Sequence, residues 1–326
     1  MKLARSGVGA LAAVLVFGCV LARPAAKAPA RDSPGLHLRL PDLSTPLAEV
    51  FPRAAAPPQD LLKAAVFAQI NRDRAAAGLL PVGWDGAASH VADAFCEQQV
   101  REASRGHFLM DGLPPYARTG LSGVFGAQSE NSVSWVTTAH SFSESAERLA
   151  LQGHEGMMAE KPPADGHRRT ILEPEATHVG VGYALGQGRF QMAEEFLSRS
   201  LERLTLSRRD GSRLVVRFDG KPLPEWRLEF VTIAREPPPA PLTREQASGR
   251  SSYSYPRPSV AYVPEGGLGI RVSETDSQEK IRLRPNREFS FTFAPDRPGL
   301  YTFLFYTSVR ASEPARPGGS ATIWVE

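Results

Sequence analysis

Between Gln59 and Gly78, apolar side chains recur at three- and four-residue spacing, at Leu62, Val66, Phe67 and Ile70. That spacing predicts an amphipathic helix, with Gly78 placed to end it. Trp84-Asp85 opens a second helix with an apolar face of Val91, Ala94, Phe95 and Val100; Asp85 can cap the backbone donors of Ala87 and Ala88. Asn131 to Thr138 reads as a strand or turn. Ser143 to Met158 returns to helical spacing through Ala146, Leu149, Ala150 and Met157, and stops near Pro162-Pro163, because proline has no N–H to give. The period then falls to two. His178 to Ala184 and Arg189 to Phe196 alternate as antiparallel strands joined by Leu185-Gly186-Gln187-Gly188. Helices first and strands last predict an α+β fold or a three-layer sandwich.

Beyond Phe196 the texture changes to short runs of alternating apolar and polar residues. Strands are predicted at 204–206, 213–218, 226–233, 259–263, 269–272, 288–293, 299–309 and 321–325, separated by Gly, Pro, Asn or Asp turns. So many short strands predict a β-sandwich. The runs Phe289 to Phe293 and Tyr301 to Tyr306, joined through Pro298-Gly299, read as a core hairpin, and Glu236 to Arg257, dense in proline and serine, as a long loop.

Composition narrows the class. At 326 residues the chain is long enough for two domains, and 42% hydrophobic with 22% charged residues suits a globular protein. A net charge of +3, with no basic stripe interleaved with aromatics, argues against nucleic acid as a partner. Lys2 and Arg5 precede an apolar run from Val8 to Leu21, the layout of a secretory signal. Val16-Phe17-Gly18-Cys19 resembles a bacterial lipobox, so the leader ends either in lipidation at Cys19 or in cleavage near Ala22 or Ala26. Both routes place the protein outside the cytoplasm: secreted, periplasmic or lipid-anchored. The expected organisation is a signal at 1–22, a linker rich in Ala, Pro and Arg at 23–57, a first domain at 58–198 and a β-rich domain at 199–326. Within the linker, Leu36 to Leu40 is strand-like. With Cys19 lost or lipidated, Cys96 has no partner and reads as a small buried hydrophobe.

Several blocks then occur in a telling order: Asn71-Arg72-x-Arg74, Gly78-Leu79-x-Pro81-x2-Trp84-Asp85, His107, Ser129-Glu130-Asn131, Gly166-His167-Arg168-x2-Ile171-Leu172 and Thr177-His178-Val179-Gly180-Val181-Gly182. This series, spanning roughly residues 60 to 196, resembles the CAP superfamily (SCP, or pathogenesis-related-1 family) in its short bacterial form. The resemblance implies a CAP-type α-β-α sandwich, followed here by the β-sandwich-like domain. It also implies a cleft lined by two histidines and two glutamates. His107, Glu130 and His167 match directly; the fourth position falls on Glu160, or alternatively on Glu155.

Two neutral imidazoles can hold a divalent metal such as zinc while carboxylates orient them, and His107 and His167 are the candidate ligands. A hydrogen-bonded network that only stiffens the cleft is the structural alternative. His-Glu-x2-His is absent around His154 because residue 158 is Met. His178 reads as packing and His90 and His140 as surface residues; Arg118 is expected to order the loop 111–115 through an ion pair, and Arg168 to pair with a carboxylate. No Gly-x-Ser-x-Gly or phosphate-binding glycine loop occurs. The expected role is extracytoplasmic binding or scaffolding, with a small ligand, lipid or envelope component as partner. The alternative is a metal-dependent hydrolase of envelope or extracellular polymers.

Overall fold

Asp60 starts the first helix by accepting from the Lys63 amide at 3.0 Å, and the chain leaves it through Gly78, whose φ of +72° suits glycine. The computed structural model of the protein describes residues 38–39, 58–139, 141–209, 214–265, 272, 275, 277–310 and 313–326. The expected leader with Cys19, almost all of the linker, His140 and most of the strand expected at 269–272 lie outside the described residues.

The elements run in order: β1 (Leu38–Arg39), α1 (Leu61–Ala76), β2 (Gly83–Trp84), α2 (Gly86–Glu102), α3 (Pro115–Leu121), β3 (Ala127–Val136), α4 (Ala146–Met158), α5 (Gly166–Ile171), β4 (His178–Gly186) and β5 (Arg189–Ser198). The β-rich part follows as β6 (Leu201–Arg209), β7 (Val215–Pro222), β8 (Arg227–Glu236), α6 (Arg244–Gly249), β9 (Val260–Pro264), β10 (Ser277–Leu283), β11 (Phe289–Phe293), β12 (Gly299–Ser308) and β13 (Arg316–Val325).

The first part is an α-β-α sandwich around a sheet ordered β2-β4-β5-β3. On one face, Leu62, Val66 and Ile70 of α1 and Leu149, Ala150 and Met157 of α4 pack on Val179, Val181, Phe190, Met192 and Phe196. On the other face, α2 lays Ala88, Val91, Ala92, Phe95 and Cys96 against Ala193 and Leu197. The strand residues alternate between these layers, as a period of two requires.

The Val-Gly-Val-Gly run of β4 has a direct cause. Its valines face α1 and α4, while its glycines let the α2 backbone touch the sheet. A Cβ on Gly182 would stand 2.2 Å from both the Ala92 carbonyl carbon and the Asp93 nitrogen; one on Gly180 would stand 2.2 Å from the Ser89 nitrogen. Gly182→Ala is therefore expected to force the helix off the sheet and to cost about 1–3 kcal/mol in urea unfolding, the usual range for overpacking. A loss below about 0.5 kcal/mol, within the noise of surface changes, would show the contact to be loose.

The second part is a nine-stranded sheet, ordered β1-β13-β12-β8-β9-β10-β11-β7-β6. It curls so that its halves face each other across an aromatic core, with Phe218 of β7 centred 4.4 Å from Phe303 of β12. Phe125, contributed by the first part, enters this core beside Phe305, and Arg199 donates to the Phe125 carbonyl oxygen at 2.6 Å.

The expected core hairpin does not form. β11 pairs with β7 and β10, whereas β12 pairs with β8 and β13. The two runs meet through ring packing alone, Phe293 lying edge-on to Phe303 at 5.3 Å. Ser277–Leu283 is a strand the pattern did not predict, because only Ile281 of its side chains is buried. The expected loop 236–257 contains α6, started by a Thr243–Gln246 capping box.

Candidate functional site

β3 is an edge strand of the first sheet, and the site is built over it. Glu130 projects from β3 to the α2 side. There its Oε1 meets Nδ1 of His107 at 2.8 Å, and its Oε2 is ion-paired with Arg118 of α3. Arg118 also lies 3.8 Å over the Phe95 ring and donates to the His107 carbonyl oxygen at 3.4 Å. Arg118 thus forms the ion pair expected of it, with Glu130, while within the loop 111–115 the Asp111 carboxylate accepts from the Leu113 amide.

His167 comes from the first turn of α5. Glu160 positions it twice, accepting from its backbone N–H at 3.0 Å and from Nδ1 at 2.5 Å. The adjoining loop is fixed from within, since the fully buried Arg74 donates to the carbonyl oxygens of Ile171, Glu173 and Ala176. Asn71 both donates to and accepts from the Val82 backbone. Two residues of the Asn-Arg-x-Arg block are thus structural pins. Arg168 has an exposed side chain, and its amide N–H is what reaches Glu160.

The rings of His107 and His167 are 6.3 Å apart between centroids. Their side chains differ in access: 8% exposed for His107 against 35% for His167. Of the two candidates for the fourth position, the structure brings Glu160 to His167, whereas Glu155 is exposed on α4. His178 is buried beside Thr177, and His90 is exposed.

Each carboxylate occupies an Nδ1, which leaves Nε2 of each ring as the nitrogen with a lone pair to offer. Burial lowers the His107 pKa to about 4, helped by the Arg118 charge, so this ring is neutral at ordinary pH. Among the described residues no three His, Cys, Asp or Glu side chains converge as a ready-made metal set. The two Nε2 atoms are the groups that would hold a divalent cation such as zinc, with water needed for its remaining positions.

Glu195 and Tyr253 escaped the sequence reading, and His154 entered it only through the missing His-Glu-x2-His pattern. Glu195 of β5 sits opposite Glu130 of β3, fully buried, and its Oε1 accepts no hydrogen bond, with the Arg118 guanidinium 3.9 Å away. Burial, with the Glu130 charge beside it, pushes the Glu195 pKa well above its ordinary value and so favours the protonated form. His154, also fully buried, bridges Glu194 through Nδ1 at 2.6 Å and Asp73 through Nε2 at 2.9 Å. Although burial opposes it, the two carboxylates raise the His154 pKa to about 9. Tyr253, from the segment after β8, sets its ring edge-on to His107 at 5.1 Å. Glu194-Glu195 was the available signal, two adjacent carboxylates inside an otherwise apolar strand.

Residues 67–197 match the family model described as the cysteine-rich secretory protein family, CAP. No curated protein sequence matches the chain. Among solved structures, an outer surface protein from Borrelia burgdorferi is 13% identical with a TM-score of 0.36, the match covering 44% of this chain and 96% of that one. An extracellular SCP-domain protein from Bacillus anthracis str. Ames is 18% identical at a TM-score of 0.32, over 41% of this chain and 39% of that one. Na-ASP-1 is 11% identical at 0.32, over 43% and 37%.

Proposed function

We propose that the cleft of the CAP domain at residues 67–197 binds a small ligand, foremost a divalent cation, through Nε2 of His107 and Nε2 of His167. The observation carrying this reading is the paired arrangement itself. Two imidazole rings lie 6.3 Å apart between centroids, each held at Nδ1 by its own carboxylate, which fixes the tautomer that leaves the Nε2 lone pair to ligate. A network serving stability alone has no need for His167 to stay one-third exposed. The role is binding or scaffolding outside the cytoplasm, supported by the leader-like pattern of Lys2, Arg5 and the apolar run after them. No described helix is long and apolar enough to cross a membrane.

Zinc titration by calorimetry at neutral pH tests the reading. Wild type should bind one ion per chain, and His107→Ala and His167→Ala should each abolish the heat. Glu160→Gln, which keeps both nitrogens but loosens one, should weaken binding by about 10–100-fold, the usual cost of losing such an orienting partner. Unchanged binding in both histidine variants would refute the site.

A further inference from the structure

Resting on that reading, we infer that the segment between β8 and β9 is a strap built into the cleft, and that Tyr253 makes the site selective for compact ligands entering past His167. The strap is fastened at several points. The Leu242 amide donates to the Met110 carbonyl oxygen at 2.8 Å, and Leu242 and Ala247 bury themselves against Phe108. Arg250 stands 5.0 Å over the Phe108 ring, while at the strap's start Glu236 accepts from the Tyr116 hydroxyl at 2.7 Å. Gly112, with φ of +79°, lets the Ala240 carbonyl oxygen come to 2.3 Å from where a Cβ would be.

The strap ends on the edge of β3. An edge strand presents unpaired N–H and C=O groups on which an extended chain can add itself. Here tyrosine hydroxyls take those positions. Tyr255 accepts from the Gln128 amide at 2.7 Å and donates to the Gln128 carbonyl oxygen at 3.2 Å. Tyr253 accepts from the Glu130 amide and donates to Gln128 Oε1 at 3.3 Å. Tyr255 stacks on Tyr116 at 4.8 Å, which ties this end to α3. An elongated ligand cannot pair with the edge beside the site, at Gln128 and Glu130, and the Tyr253 ring covers one side of His107. What remains is approach from the exposed His167 side, which admits an ion or a small group and disfavours a polymer threaded through the cleft.

Carbethoxylation of histidine by diethyl pyrocarbonate at neutral pH, followed residue by residue by mass spectrometry, tests this. In wild type His167 should react faster than His107. Tyr253→Ala should raise the His107 rate by about tenfold or more, as removal of a local cover does, and leave His167 unchanged; Tyr253→Phe, which keeps the ring, should stay near wild type. Equal rates for the two histidines in wild type would overturn the inference, whether or not any variant folds. So would an unchanged His107 rate in a Tyr253→Ala protein with wild-type circular dichroism. Because labelling needs no ligand, its outcome is separate from the zinc titration: the strap can stand while cation binding fails, and the reverse.

Discussion

Arg118→Met is expected to cost about 3–5 kcal/mol in urea unfolding, the range for breaking a buried ion pair from one side. Arg118 is the cation paired with Glu130, and Glu195 lies 3.9 Å from the same guanidinium. Both carboxyl groups are fully buried, so the loss leaves Glu130 choosing between an uncompensated charge and protonation at its bond to His107. Methionine retains most of the packing against Phe95 and so isolates the charge. Adding Glu130→Gln to Arg118→Met should recover part of the loss, since a neutral amide tolerates burial better than an unpaired carboxylate. A single-variant loss below about 1 kcal/mol, the scale of an exposed pair, would mean that water reaches the cluster.

The second large effect is a pH dependence owed to His154. Its pKa rises from 6.5 to about 9 on folding. Between those values the folded protein holds a proton that the unfolded chain has released, so stability falls as pH rises. The contribution is fully present below about pH 6.5 and is lost as pH climbs through about 9, a change on the order of 3 kcal/mol. Urea unfolding of wild type across this window should show that decline, and His154→Gln should flatten it while being less stable at pH 6.5. A wild-type profile with no decline there would show that His154 is neutral when folded. His107 acts on the opposite limb. Its depressed value means that stability is retained above pH 6.5 and lost as pH falls toward about 4.

Local physics explains what was legible in the chain. The helices α1, α2 and α4 follow from their apolar spacing, and the caps at Asp60, Asp85 and Ser145 are visible as residue types before those helices. The glycines of β4 could be read as a motif, but their reason, contact with the α2 backbone, is tertiary. Strand pairing was the weakest part. Phe289–Phe293 and Gly299–Ser308 look like neighbours in sequence, yet each pairs elsewhere, because register is decided by which faces the curled sheet must bury. The site shows the same division. His107, Glu130 and His167 lay in recognisable blocks; Glu160 needed the geometry to separate it from Glu155. Tyr253, more than 120 residues from Glu130, could not be found by spacing at all, since its partner is the backbone of an edge strand.

Cation binding in the cleft requires His107 and His167 to be twin Nδ1-protonated imidazoles sharing one ligand. Nitrogen-15 NMR of histidine-labelled protein, before and after zinc, reads that state at the atoms themselves. Both rings should carry their proton on Nδ1, and zinc should shift Nε2 of both together while leaving His154 in place. Protons found on Nε2, or zinc that moves neither ring, would contradict it.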